Sequence, residues 1–72
     1  MLLSENLDIQ VLAHEMTVWR KDPGQLRFGQ RIWNLYGMPG QAWPELFYEK
    51  NEMEAYSLLL AALYVRRDLA NA

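Results

Sequence analysis

Four side chains that make directional hydrogen bonds lie close together in the middle of the chain. They are Arg27, Gln30, Arg31 and Asn34. On a helix these spacings place all four within about a third of the circumference. We call this surface the α2 polar face, because it lies on the second predicted helix, α2, over residues 26–36. Arg, Gln and Asn can bind carboxylates, phosphates or base edges through paired hydrogen bonds. The pattern predicts either a recognition surface or side chains that hold neighbouring connectors, and the sequence leaves both open.

Large aromatic side chains lie next to this face and extend the candidate partner-binding set. Trp, Tyr and Arg are the residue types that dominate binding hot spots. The alternative is that these aromatic rings are core residues, since tryptophans are highly buried on average. The three candidates are Trp33, Tyr36 and Trp43.

Residues suited to catalysis or metal binding are sparse. His14 is the only histidine and no second histidine follows one turn later, so the zinc-protease pattern is absent. The hydroxyl groups of Ser4, Thr17 and Ser57 have no base at a suitable spacing. There is no cysteine, and the carboxylates of the middle of the chain suggest a solvated acidic turn. We expect no catalytic residue, metal site or cofactor. The carboxylates in question are Glu45, Glu49, Glu52 and Glu54.

A first helix over residues 5–21 is predicted by apolar side chains at spacings of three, four and three. Ser4 is the expected N-cap, with Asp8 placed favourably near the positive end of the helix dipole. The segment 22–24, Asp-Pro-Gly, should end the helix. The predicted buried stripe is Ile9, Leu12, Met16 and Trp19.

A second helix over residues 26–36 should end at the Gly-Met-Pro-Gly segment 37–40. Gly29 inside this helix lowers helix propensity, so we expect it to allow a close approach to a neighbouring element. An aromatic connector, as a short helical turn or an extended segment, is predicted at 43–48. The apolar side of the second helix is predicted to be Phe28, Ile32, Leu35 and Tyr36.

A third helix over residues 52–69 is predicted, with Asn51 as its cap and Glu54 as the reciprocal capping partner. Only Ser57 is polar between residues 55 and 65, so this helix is apolar almost all round. Because monomers seldom expose large apolar patches, we expect a homodimer through this helix. The predicted dimer interface is Leu59 and Leu63, beside a stripe of Met53, Tyr56, Leu60 and Leu63.

Length and composition bound the class of protein. The chain has 72 residues, 51% of them hydrophobic, and predicts a single all-α domain of three helices. One core should join these helices through Trp19, Phe28, Ile32, Phe47 and Leu60. The net charge of −2 provides no global basic field for nucleic acid. No targeting signal and no apolar run of about 20 residues is present, so we expect a cytoplasmic protein without membrane insertion.

The order of motifs between Trp19 and Ala55 resembles small bacterial and phage proteins of the YihD-like family. The resemblance covers about half of the chain, and its specific parts are Arg27-Gly29-Gln30 and Leu46-Phe47-Tyr48. The segment 37–43 and the very apolar last helix depart from that pattern. The resemblance implies a compact all-α domain and no established activity.

Two functions from different classes are consistent with these residues. The first is a non-catalytic protein-interaction module, such as a small regulator or a phage-encoded inhibitor of a host protein. The alternative is a small helical nucleic-acid-binding protein that uses the α2 polar face as a dimer, because Arg, Gln and Asn contact base edges. The acidic pI, near 5.2, favours the first.

Overall fold

A computed structural model describes residues 2–70 and contains four α-helices. Their bounds are α1 Ile9–Lys21, α2 Phe28–Tyr36, α3 Pro44–Phe47 and α4 Glu52–Ala70. The predicted all-α fold is confirmed, with the short α3 occupying the predicted aromatic connector. Among these described residues, no helix has both the length and the hydropathy that crossing a bilayer requires.

The chain before α1 pairs with the end of α2 and then turns, which corrects the predicted start of the first helix. Ser4 N donates to Tyr36 O at 2.7 Å and Met38 N donates to Leu2 O at 2.9 Å, around an isolated antiparallel bridge between Leu3 and Gly37. The Ser4 carbonyl accepts from Leu7 N at 3.1 Å, which closes a turn at residues 4–7 in place of the first turn of a helix. The N-cap is therefore Asp8, whose carboxylate accepts a hydrogen bond from the backbone of the first turn, and the prediction of Ser4 was wrong.

Gly29 lies where α2 meets α3, as the sequence predicted. A Cβ at this position would overlap the carbonyl oxygen of Leu46 and lie 3.2 Å from its carbonyl carbon. Pro44 at the first position of α3 fixes the backbone for this short helix, and the Leu46 side chain is fully buried. The missing side chain at Gly29 is therefore what brings the connector close enough to fill the core.

Substituting Gly29 by Ala should destabilise the fold by about 1–3 kcal/mol, because the obstacle is a backbone oxygen rather than a flexible side chain. Helix propensity alone would favour Ala by about 1 kcal/mol, so the sign of the change separates the two effects. Urea unfolding measures it. Asn34→Ala, at an exposed position of the same helix, is the matched control. Stabilisation by Gly29→Ala would contradict the close approach.

The core joins all four helices and also includes side chains of the segment before α1. Phe28 and Ile32 are buried as predicted, whereas Trp19 and Leu60 are half-buried and pack against the cluster. Phe47 is half-buried outside it and contacts the ring of the next residue, so the connector contributes its leucine instead. The fully buried large side chains are Leu7, Leu12, Phe28, Ile32, Leu46 and Leu59.

The buried stripe of α4 is Ala55, Leu59 and Leu63, which differs from the predicted stripe. Met53, predicted to be buried, is 53% exposed. Because α4 is apolar almost all round, hydrophobic periodicity alone could not determine which side faces the core. On α2, the predicted apolar side is wrong at Leu35, which is 55% exposed, whereas Phe28, Gly29 and Ile32 form the buried side.

Candidate functional site

Two members of the α2 polar face hold the start of α2 and the aromatic connector. The Gln30 side-chain oxygen accepts a hydrogen bond from Arg27 N at 3.0 Å, which satisfies a backbone donor at the start of the helix. The Arg27 guanidinium donates to the carbonyl of Tyr48 at 3.3 Å. Of the two roles predicted from the sequence, recognition or holding the neighbouring connectors, these two side chains therefore have the second.

A third member, Arg31, is joined to a buried carboxylate on α1. Its Nη2 lies 3.3 Å from Glu15 Oε1, and the Tyr36 hydroxyl donates to Glu15 Oε2 at 3.2 Å. The Arg31 Nε is buried without a hydrogen-bond partner among the described residues. Of the four polar side chains only Asn34 is exposed, so the predicted recognition surface is largely occupied by intramolecular contacts.

The environment of this carboxylate perturbs the neighbouring phenol. Burial raises the pKa of Tyr36 above its ordinary value of 10.0, and the negative charge of Glu15 and its hydrogen bond act in the same direction. The positive charge of Arg31 opposes them. Tyr36 is therefore held in its neutral, donating form, in which it orients the carboxylate between α1 and α2.

The raised pKa of Tyr36 should make the free energy of unfolding depend on pH under alkaline conditions. The unfolded chain releases the phenolic proton near pH 10.0 and the folded chain at a higher pH. This contribution to stability is complete below about pH 10 and is lost as the pH rises through the folded pKa. Urea midpoints between about pH 8 and pH 11 should fall more steeply for the native chain than for Tyr36→Phe. Tyr48→Phe, which alters an exposed phenol, is the control, and equal slopes for the native chain and Tyr36→Phe would contradict the assignment.

The aromatic candidates from the sequence lie in two places: against the core, and beside an open groove along α4. Trp33 and Tyr36 are half-buried and pack against the core cluster. A Cβ on Gly37 would meet the Trp33 ring at 2.6 Å, so this ring is fixed against the end of α2. Trp43 also packs against the core but lines the groove, which makes it the aromatic candidate best placed to meet a partner.

The groove runs along the C-terminal half of α4 and has a volume of about 770 Å³. We call it the α4 groove. Such a volume falls in the range typical of ligand and peptide sites, and its lining is almost entirely apolar. Its α4 wall includes Leu58, Ala61, Val65 and Leu69, and its other wall includes Leu2 and Trp43.

Arg66 holds the second wall of the α4 groove in place. Its Nη1 donates to Ser4 O at 2.9 Å and to Leu3 O at 3.4 Å, and its Nη2 donates to Leu7 O. The sequence analysis missed this residue. The available signal was its spacing, because Arg66 lies three residues after Leu63 and continues the buried stripe of α4.

The predicted dimer interface needs correction, because its two residues belong to the core of a single chain. Leu59 is 0% exposed and Leu63 is 3% exposed. Of the large apolar residues that α4 exposes, Val65 (59% exposed) and Leu69 (71% exposed) lie on its groove side, whereas Met53 and Tyr64 are exposed outside the groove lining. A contact with another chain through the groove side of α4 would use Val65 and Leu69.

The carboxylates around the start of α4 have local structural roles. Asn51 caps α4 as predicted, its side chain accepting from Met53 N at 2.9 Å, but the reciprocal partner is Glu49 and not Glu54. Glu52 pairs with Arg20 at 3.1 Å. Within residues 2–70, no three His, Asp or Glu side chains come together in a way that could hold a metal ion.

The fold is that of a small all-α domain with an apolar groove along its longest helix. No protein-family model, curated protein or solved structure matches this chain. The resemblance to YihD-like proteins therefore stays a prediction, and the residues of the α4 groove carry the functional interpretation.

Proposed function

We propose that this chain is a non-catalytic protein-interaction module whose binding site is the α4 groove. The observation that supports it is the row of apolar side chains from Leu58 to Leu69, exposed at Ala61, Val65 and Leu69, along one wall of a groove of about 770 Å³. Soluble monomers rarely expose contiguous apolar surface of this kind unless it binds something. Trp43 supplies an aromatic anchor on the opposite wall.

The biological role that fits this proposal is a small cytoplasmic regulator or a phage-encoded inhibitor of a host protein. The groove replaces the α2 polar face as the favoured site, because Arg27, Gln30 and Arg31 already bond within the chain. The same contacts weaken the nucleic-acid alternative, since phosphate contacts require free basic groups. A homodimer is the other occupant that the sequence suggested, and it would compete for the same groove.

Val65→Lys should strongly weaken partner binding while the fold is retained. Lys introduces a charge into the apolar wall, yet Val65 is mostly exposed and Lys has the better helix propensity. We expect recovery of the partner in affinity capture to fall by about tenfold or more, the effect of disrupting a hot spot. Thermal unfolding should change by less than about 0.5 kcal/mol.

His14→Lys is the matched control, because it adds a lysine at an exposed helical position of α1 that does not line the groove. Its recovery of the partner should equal that of the native chain. If Val65→Lys captured the same partner as efficiently as His14→Lys, the α4 groove would not be the binding site and the proposed function would fail.

A further inference from the structure

The shape of the α4 groove suits a helix as its occupant. The apolar side chains Leu58, Ala61, Val65 and Leu69, of which Leu58 is half-buried and the other three are exposed, recur at spacings of three, four and four, as along one side of α4. They extend over about 17 Å, or about three helical turns. Ala61 near the middle has a small side chain, so another helix can approach closely at that point. Helix-in-groove recognition uses this arrangement of apolar positions.

The free charges beside this row are negative. Glu54 lies one turn before Leu58 and Asp68 lies one turn after Tyr64, both on the outward side of α4. Both are exposed, and neither makes an ion pair with another described residue. The helix should therefore present carboxylates at both ends of the apolar row.

Arg66 and Arg67 of α4 do not pair with these carboxylates on the solvent side of the groove. Arg66 lines the groove, but its guanidinium is directed to the carbonyls of the N-terminal segment. Arg67 lies about 180° around the helix from Leu58 and lines a separate cavity beside Ile9. The solvent side of the α4 groove is consequently acidic.

A second copy of the chain fits this charge pattern poorly in either direction. In an antiparallel pair with Leu58 opposite Val65, Glu54 of one copy would lie beside Asp68 of the other. In a parallel pair each of these carboxylates would face its own equivalent. Like charges placed together across an interface oppose association.

We infer that the α4 groove binds an amphipathic helix of another protein, with apolar residues at helical spacing and Lys or Arg along one flank. This inference rests on the proposed function and specifies the partner's chemistry. The apolar row supplies the contact, while Glu54 and Asp68 select the basic flank and its orientation. Rim charges of this kind contribute selectivity more than affinity.

Two synthetic helical peptides of about 18 residues test the inference, since that length covers the groove. Both carry Leu and Ala at spacings of three and four; one has Lys on its flanks and its twin has Glu at the same positions. Titration followed by amide NMR shifts should place the Lys peptide at Leu58, Ala61 and Val65 and show that it binds about three- to tenfold more tightly than the Glu peptide.

Asp68→Lys should reduce or reverse this preference, and Asp22→Lys should leave it unchanged. The two variants are matched, because each reverses an exposed carboxylate at the C-terminal end of a helix, and Asp22 does not line the groove. Equal binding of both peptides to the native chain, or equal effects of the two variants, would overturn the inference.

Other outcomes separate this inference from the proposed function. If neither peptide shifted the groove residues while a captured partner remained sensitive to Val65→Lys, the proposed function would stand and the basic-helix inference would fall. If sedimentation showed a dimer at micromolar concentration that Val65→Lys dissociates, the occupant would be a second copy, which also overturns it. Capture insensitive to Val65→Lys would instead remove the proposed function.

Discussion

Replacing Ile32 by Ala should lower the free energy of unfolding by about 2–5 kcal/mol, among the largest effects of any single truncation in this chain. Ile32 is fully buried on α2, at the centre of the cluster that α1, α3 and α4 complete. A domain of 72 residues buries a comparatively small fraction of its surface and has little stability to lose. Urea unfolding followed by tryptophan fluorescence measures the change.

Leu35→Ala is the control for this truncation, because Leu35 lies on the same helix and is largely exposed. It should cost less than about 1 kcal/mol, since little of its side chain leaves water on folding. The sequence predicted both residues on one apolar side, so the difference between the two losses tests the orientation of α2 in the fold. Similar losses would show that this orientation is wrong.

Arg66→Met should cost about 2–4 kcal/mol, although it keeps the unbranched apolar stem of the side chain. The substitution removes the donors that satisfy the carbonyls of Leu3, Ser4 and Leu7, and partly buried acceptors without partners are costly. Hydrogen exchange should also accelerate at the amides of Ser4 and Leu7, which lie in the segment that Arg66 holds.

Arg67→Met is the matched control, because it removes the same charge from the next position of α4, where the side chain is exposed. Its effect on stability should stay within about 0.5 kcal/mol. A loss equal to that of Arg66→Met would mean that net charge, and not the bonds to the carbonyls, determines the change.

Hydrophobic spacing and helix-capping residues were sufficient to predict the helices and part of the core from the sequence. The stripe of α1 was read correctly at Leu12 and Met16, because polar residues on its other side make the periodicity unambiguous. Gly29 was interpreted correctly because a glycine inside a helix needs a steric reason. The side of α4 that faces the core could not be determined, since residues 55–65 are apolar in nearly every direction.

The candidate site depended on contacts between residues far apart in the sequence. An arginine at position 31 is compatible with a recognition surface until Glu15, sixteen residues earlier, is seen to accept its hydrogen bond. Similarly, Ser4 has the chemistry of an N-cap, but its backbone is used in pairing with Tyr36. In the sequence, the only sign of the groove was that the last helix has more apolar residues than one core-facing side requires. The sequence analysis assigned the surplus to an interface at Leu59 and Leu63, which lie in the core of a single chain.

The bonds from Arg66 to residues 3–7 span about sixty positions of the chain and close nearly all of it into a loop. Closing so long a loop costs conformational entropy that only the completed core can offset, so these bonds should form late in folding. The wall that carries Leu2 is attached to the last turns of α4 by the same bonds. Fraying of those turns would release it, so the shape of the α4 groove should indicate whether the whole domain is folded.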